Sequence, residues 1–143
     1  MRMFVLVMST LFLCFATPAV AGMPHPVLQF NGTEEYQAGG KTWIRYKLGV
    51  SNRAQFANQL FFEAPQLPPC GSNTHSSRTW VDIHNGRSPY ARIYGFCALG
   101  SSQDLGSLWF AVEKGHRPPR LVFVKLTDRR TGDQVSSNRV ATY

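Results

Sequence analysis

The chain has 143 residues, of which 43% are hydrophobic, 13% aromatic and 16% charged. This length suits one ordinary domain and leaves little room for a second, and the aromatic content excludes a disordered chain. Fifteen lysines and arginines against eight aspartates and glutamates give a formal net charge of +7. This excess of positive charge favours anionic partners or surfaces.

The first 21 residues have the pattern of a secretory signal peptide. Arg2 precedes an apolar run from Met3 to Phe15, and Ala19-Val20-Ala21 supplies the small residues that precede a cleavage site. A transmembrane anchor is the alternative, but the run is shorter than the ~20 residues needed to cross a bilayer. We therefore expect cleavage after residue 21, a periplasmic or extracellular location, and one mature domain over residues 22–143 with a net charge of +6.

Two cysteines, Cys70 and Cys97, would remain after cleavage. Thiols in an oxidising compartment are normally paired, so we predict a disulfide between them. A thiol nucleophile or a metal thiolate is the alternative. Neither cysteine belongs to a CxxC motif or another ligand spacing, which favours the disulfide.

Alternation of apolar and polar residues dominates the mature chain, and this period of two predicts an all-β domain. In the clearest case, Ile44, Tyr46 and Leu48 share one face of a strand whose other face carries Trp43, Arg45 and Lys47. A single helical turn is predicted over Gly100–Leu105, capped by Ser101 or Ser102. The predicted strands are Val27–Phe30, Thr42–Val50, Leu60–Phe62, Arg78–His84, Tyr90–Cys97, Leu108–Val112, Leu121–Thr127 and Gln134–Thr142.

Seven or eight short strands separated by Gly- and Pro-rich turns are typical of an antiparallel β-sandwich, with a closed barrel as the alternative. With Trp43 on an early strand and a final hairpin of Leu121–Thr127 and Gln134–Thr142, the chain resembles the immunoglobulin and fibronectin type III class of sandwich. The resemblance implies two stacked sheets. It is one of pattern and carries no functional residues, and Cys70 and Cys97 do not flank the tryptophan as in antibody domains.

The most informative segment is a predicted hairpin with Asn85-Gly86 at its turn. A five-residue loop over 85–89 would fix the pairing and place one aromatic and charged set on a single face. The other face would carry Val81, Ile83, Ala91, Ile93, Gly95 and Cys97 and would enter the core. The predicted opposite pairs on the outer face are His84 with Tyr90, Asp82 with Arg92, Trp80 with Tyr94, and Arg78 with Phe96.

Such an outer face suits a planar or anionic ligand, because aromatic rings stack and arginines supply fixed donors. The alternative is that aromatic pairs and an Asp82–Arg92 ion pair merely stabilise a solvated sheet. We predict a non-catalytic binding module, without a cofactor, for a protein or an anionic envelope polymer. Positive charges scattered along the chain do not favour nucleic acid. The predicted binding residues are Arg78, Trp80, Asp82, His84, Tyr90, Arg92 and Tyr94.

Two other functions stay open. A small hydrolase or metal enzyme would use His75, Asp82 and His84, whose nitrogen and oxygen atoms are ligands that zinc accepts, although the spacing is unspecific and no GxSxG or HExxH motif occurs. A structural subunit would instead add an edge strand to a larger assembly. Asn31-Gly32-Thr33 also matches a glycosylation sequon, which has meaning in a eukaryotic source.

Overall fold

The structure, a computed structural model, describes residues 22–61, 67, 77–88, 91–96 and 100–143. The predicted signal peptide lies outside the described residues, as do Phe62, Cys70, His75, Tyr90 and Cys97 and the side chain of Phe96. The all-β prediction is confirmed. The described residues contain eight strands: β1 (Leu28–Ala38), β2 (Lys41–Val50), β3 (Thr79–Asn85), β4 (Arg92–Phe96), β5 (Leu108–Glu113), β6 (Leu121–Asp128), β7 (Gln134–Ser136) and β8 (Val140–Ala141).

The strands form two antiparallel sheets. The three-stranded sheet has the order β1-β2-β5, and the five-stranded sheet has the order β4-β3-β6-β7, with β8 also paired to β6. Apolar side chains from both sheets belong to one buried cluster, an arrangement compatible with a β-sandwich. The fully buried members of the cluster include Leu48, Val50, Val81, Ile83, Val122, Val124 and Leu126.

Strand β2 shows how the alternation assigns side chains to the core face and the outer face of the sheet. Tyr46 and Leu48 face the core, where the Tyr46 ring stacks on Phe110 of β5 with centroids 5.0 Å apart. The intervening residues, Arg45 and Lys47, are half-buried on the opposite side of the sheet. The predicted division of this strand into two faces is therefore confirmed.

Two predicted strands are wrong in detail. Leu60 ends a short 3-10 helix, Asn58–Leu60, instead of beginning a strand. The predicted strand 134–142 is divided into β7 and β8, because the Asn138 side chain turns away to bond the backbone of Leu28, accepting from its N–H at 2.8 Å and donating to its carbonyl at 3.1 Å. This side chain thereby ties the start of β1 to the five-stranded sheet.

The first strand is longer than predicted. It continues from Phe30 through a bulge, where the register with β2 shifts between Phe30 and Thr33, and reaches Ala38. The predicted helical turn is a 3-10 helix, Ser102–Gly106, with a capping box formed by Ser101 and Asp104. In the described part of the chain, no helix is long and apolar enough to cross a membrane.

Candidate functional site

The predicted hairpin exists, since β3 and β4 are antiparallel neighbours, but its register is wrong. Asp82 lies opposite Gly95 and not Arg92, Ile83 lies opposite Tyr94, and His84 lies opposite Arg92. Phe96 pairs with Val81 instead of Arg78. At Tyr94 and Gly95 the pairing is thus displaced by three residues, and this odd displacement exchanges the two faces of β4 there. A bulge between Ile83 and His84 makes the displacement two at Arg92, which therefore keeps its predicted face, and Ile93 packs against the core as predicted.

The cause lies at Asn85-Gly86, where a turn was predicted. Asn85 is still part of β3 and pairs with Val122 of β6, and the Gly86 N–H donates to the carbonyl of Leu121 at 2.7 Å. A Cβ atom on Gly86 would lie 2.9 Å from Leu121 Cγ. The strand therefore extends to Asn85, one residue beyond its predicted end, and the contact with β6 continues through the Gly86 N–H.

As a result, the predicted aromatic stripe is divided between two places. Val81 and Ile83 of β3 are fully buried, as the alternation predicts, whereas Gly95 lies on the side of Trp80. Tyr94 lies on the opposite side from Trp80. Its ring, 46% exposed, stacks on Trp109 of the other sheet with centroids 6.1 Å apart.

The residues that stay together form the Trp80 cluster: Trp80, Asp82 and Arg92. Trp80 Nε1 donates to Asp82 Oδ1 at 2.6 Å, and Arg92 Nη1 lies 3.4 Å from the same oxygen. The Arg92 guanidinium is 6.0 Å from the centroid of the Trp80 ring. The Asp82–Arg92 ion pair suggested by the sequence does form, and the same carboxylate oxygen accepts the hydrogen bond from the indole N–H.

Arg78 and His84 do not lie on an open surface. The Arg78 guanidinium binds Asp128 as a fork, with Nε 2.9 Å from Oδ1 and Nη2 2.7 Å from Oδ2. These hydrogen bonds lower the pKa of the Asp128 carboxyl below its usual range, against the effect of burial, and raise the pKa of Arg78. His84 is 7% exposed and stacks on Phe123, with centroids 5.2 Å apart.

The alternative metal site of His75, Asp82 and His84 stays a prediction, because His75 lies outside the described residues. Of its other members, Asp82 accepts a hydrogen bond from Trp80 through Oδ1, which also lies 3.4 Å from Arg92 Nη1. Among the residues that the structure describes, no group of three or more His, Cys, Asp or Glu side chains could hold a metal ion.

A second aromatic and basic surface lies on the outer face of the three-stranded sheet. The Arg45 guanidinium carbon is 4.6 Å from the centroid of the Tyr36 ring and 4.7 Å from the centroid of the Trp109 ring. Tyr94 then stacks on Trp109 and extends the row across to the five-stranded sheet. We call this row of four side chains, Tyr36, Arg45, Trp109 and Tyr94, the Arg45 stack.

Ring faces are the main contacts of Arg45. Its only carboxylate neighbour within the described part is Glu34, directly across on β1, with Nη1 and Oε2 3.7 Å apart. Arg45 Nε is buried and has no hydrogen-bond partner among those residues. The Arg45 side chain is 30% exposed, and a cation over an aromatic face gains about 0.5–2 kcal/mol, with the larger value for a desolvated cation. This attraction offsets part of the cost of leaving the Nε–H without a partner.

A groove of about 460 Å³ runs beside the Arg45 stack. Lys47 lies directly opposite Trp109 in the pairing of β2 with β5, so both contribute to it. Within the described chain, the side chains of Lys47, Asn31 and Ser107 have no hydrogen-bond or ion-pair partner. We call it the Trp109 groove; its polar and aromatic lining comprises Asn31, Glu34, Arg45, Lys47, Ser107 and Trp109.

The sequence predicted part of this site. The alternation along the strand placed Trp43, Arg45 and Lys47 on one face. Trp109 follows Lys47 by more than sixty residues, and only the pairing of β2 with β5 brings the two together. Tyr36 was missed because β1 was predicted to end at Phe30.

Comparison with protein-family models, with curated proteins and with solved structures found no match to this chain.

Proposed function

We propose that this chain is an exported, non-catalytic binding module that holds an acidic glycan strand in the Trp109 groove. Its export is supported by the signal-peptide pattern of residues 1–21. The finer assignment of an immunoglobulin- or fibronectin-type sandwich is part of the same proposal. It is supported by the two antiparallel sheets and by the hairpin of β6 with β7.

The observation that carries the proposal is the Arg45 stack bordering an open groove. The Trp109 side chain lines the groove and adds apolar area that a sugar ring can contact. Arg45 over the Trp109 ring and Tyr94 stacked on it fix the orientation of that side chain. A binding platform that is already ordered loses little conformational entropy when a ligand arrives.

The polar lining matches an acidic sugar. Lys47 and Arg45 supply positive charge, Asn31 and Ser107 supply groups that can donate and accept, and Glu34 supplies one acceptor. Because Lys47, Asn31 and Ser107 have no partner among the described residues, a ligand would not have to break protein contacts to reach them. A mixture of apolar platform and a few polar groups is typical of small-ligand sites.

The same lining favours binding over hydrolysis. Glycoside hydrolysis requires two carboxyl groups flanking the bond, and the described lining provides one, Glu34, whose charge is shared with Arg45.

The test is calorimetric titration of a panel of uronic-acid oligosaccharides, each compared with its methyl ester, which has the same rings without the charge. We expect saturable binding of at least one acid form and weaker binding of its ester. Trp109→Ala should weaken binding about tenfold, because it removes an apolar wall of the groove. Lys47→Gln should weaken the acid form and leave the ester unchanged.

The control pair comes from the other sheet, where Trp80→Ala and Arg92→Gln make matched changes. Both should leave the affinity within about twofold, since neither residue lines the Trp109 groove. Loss of binding in the Trp80 and Arg92 variants, with full binding in the Trp109 and Lys47 variants, would move the site to the hairpin and contradict the proposal. Failure of every oligosaccharide to bind would reject the glycan.

A further inference from the structure

A second cleft, of about 440 Å³, lies where the segment between β5 and β6 meets the end of the chain. We call it the Arg120 cleft; it is lined by Tyr46, Arg117, Pro118, Arg120, Thr142 and Tyr143. None of these residues lines the Trp109 groove. Its chemistry can therefore be tested separately.

The cleft is basic and its charges are not neutralised by neighbouring side chains. Arg117 and Arg120 are exposed, and neither forms an ion pair with any described residue. None of the described lining residues carries a carboxylate side chain. The nearest acidic residue in sequence, Glu113, is 3.4 Å from Lys41 Nζ and 3.9 Å from His116 Nδ1.

The backbone of the segment that carries the two arginines, 117–120, has little conformational freedom. Pro118 and Pro119 stand between them and fix two φ angles. Thr142 then ties this segment to the end of β8, because its N–H donates to the Arg120 carbonyl at 3.1 Å and its hydroxyl donates to the Pro119 carbonyl at 2.7 Å. The backbone of Arg120 is thereby held in place before any ligand binds, and Arg117 is joined to it through the two prolines.

Tyr46 adds a neutral donor from the core side. Its ring is 7% exposed and packs between Phe110, at 5.0 Å, and Phe30, at 6.4 Å. The hydroxyl makes no hydrogen bond within the described residues. Burial raises the pKa of Tyr46, so the hydroxyl stays protonated at neutral pH and keeps its proton available for donation.

We propose that the Arg120 cleft binds an oxyanion, a carboxylate or phosphate group, between the guanidinium groups of Arg117 and Arg120, with the Tyr46 hydroxyl donating a hydrogen bond to it. Guanidinium groups present planar pairs of N–H donors that match the oxygens of either group. An uncharged donor beside them adds direction to the attraction of the two charges.

The experiment is a chemical-shift titration of the full chain with inorganic phosphate and, separately, with acetate, at an ionic strength held constant with chloride. The two probes distinguish a phosphate ligand from a carboxylate ligand. We expect saturable shifts for Tyr46, Arg117 and Arg120 with at least one of them. Tyr46→Phe, which keeps the ring and removes the hydroxyl, should weaken that binding about tenfold.

The arginines are tested by the double substitution Arg117→Gln with Arg120→Gln, which should abolish saturation. Arg87→Gln with Arg130→Gln makes the same change of charge at exposed positions outside the cleft and should preserve it. Equal losses in both double variants would show general charge attraction and overturn the proposal. So would the absence of saturable shifts with both probes. Trp109→Ala should leave anion binding unchanged, which separates this test from that of the Trp109 groove.

Discussion

The outer faces of the two sheets carry similar side chains and use them differently. On the five-stranded sheet, Trp80, Asp82 and Arg92 bond to one another and form a closed set. On the three-stranded sheet, Arg45 is held by ring faces while the neighbouring Lys47 keeps its donors uncommitted among the described residues. The face that we propose for binding differs from the other face in the polar groups that it leaves uncommitted, and composition alone does not distinguish the two.

The comparison predicts that polar residues of the five-stranded sheet serve stability, and the largest effect is expected at Asp128. Asp128→Asn removes the charge that Arg78 binds at 2.7 Å and leaves that guanidinium, 19% exposed, without its partner. We expect the free energy of unfolding, measured in urea, to fall by about 3 kcal/mol. Asp133→Asn, at an exposed position nearby, should change it by less than about 0.5 kcal/mol.

A second effect tests the register on which the comparison depends. Gly86→Ala places a Cβ atom 2.9 Å from Leu121 Cγ and 3.1 Å from the Leu121 carbonyl carbon, which requires β3 or β6 to shift. We expect a loss of about 1–3 kcal/mol in stability. Gly22→Ala enters open space and is the matched control. An unchanged stability in Gly86→Ala would instead favour the five-residue loop over 85–89 that the sequence predicted.

A smaller effect is expected in the Trp80 cluster. Trp80→Phe keeps an aromatic ring and removes the indole N–H that donates to Asp82, so we expect a loss of about 1 kcal/mol in chemical unfolding. Lys47→Gln, on the three-stranded sheet, should leave stability within about 0.5 kcal/mol. A Lys47 variant less stable than the Trp80 variant would reverse the contrast between the two faces.

The contribution of Asp128 should also appear as a pH dependence of stability, confined to acidic pH. Its pKa is lowered in the folded state, so between that pKa and the unfolded value of about 3.9 the unfolded chain binds more protons. The stabilisation is therefore complete above the unfolded pKa and is lost as pH falls through the folded pKa. Urea unfolding of the wild type and of Asp128→Asn should give stabilities that converge in this acidic range, and parallel curves would refute the assignment.

The sequence predicted which side chains share a face of each strand wherever the alternation was regular. Val81 and Ile83 are buried and Arg45 and Lys47 are not, because a period of two needs no knowledge of the neighbouring strand. The capped turn at Ser101 was equally local and was found.

Pairing between strands was not predictable in the same way. The position of Tyr94 depended on the register of a hairpin whose Asn85-Gly86 was drawn into the ladder with β6, a strand far along the chain. The Arg45 stack depends on which strand lies beside β2. Nothing in the sequence indicates that Trp109, and not Trp80, is the tryptophan that contacts Arg45. Such contacts follow from the sum of the packing in both sheets.

The most direct test of the binding face is a chemical-shift map of the full chain, titrated with the uronic-acid oligosaccharide that binds best. The account predicts shifts concentrated at Asn31, Lys47, Ser107 and Trp109, with the amides of Trp80 and Arg92 unmoved. Shifts centred on Trp80 and Arg92, with Lys47 and Trp109 unmoved, would contradict it.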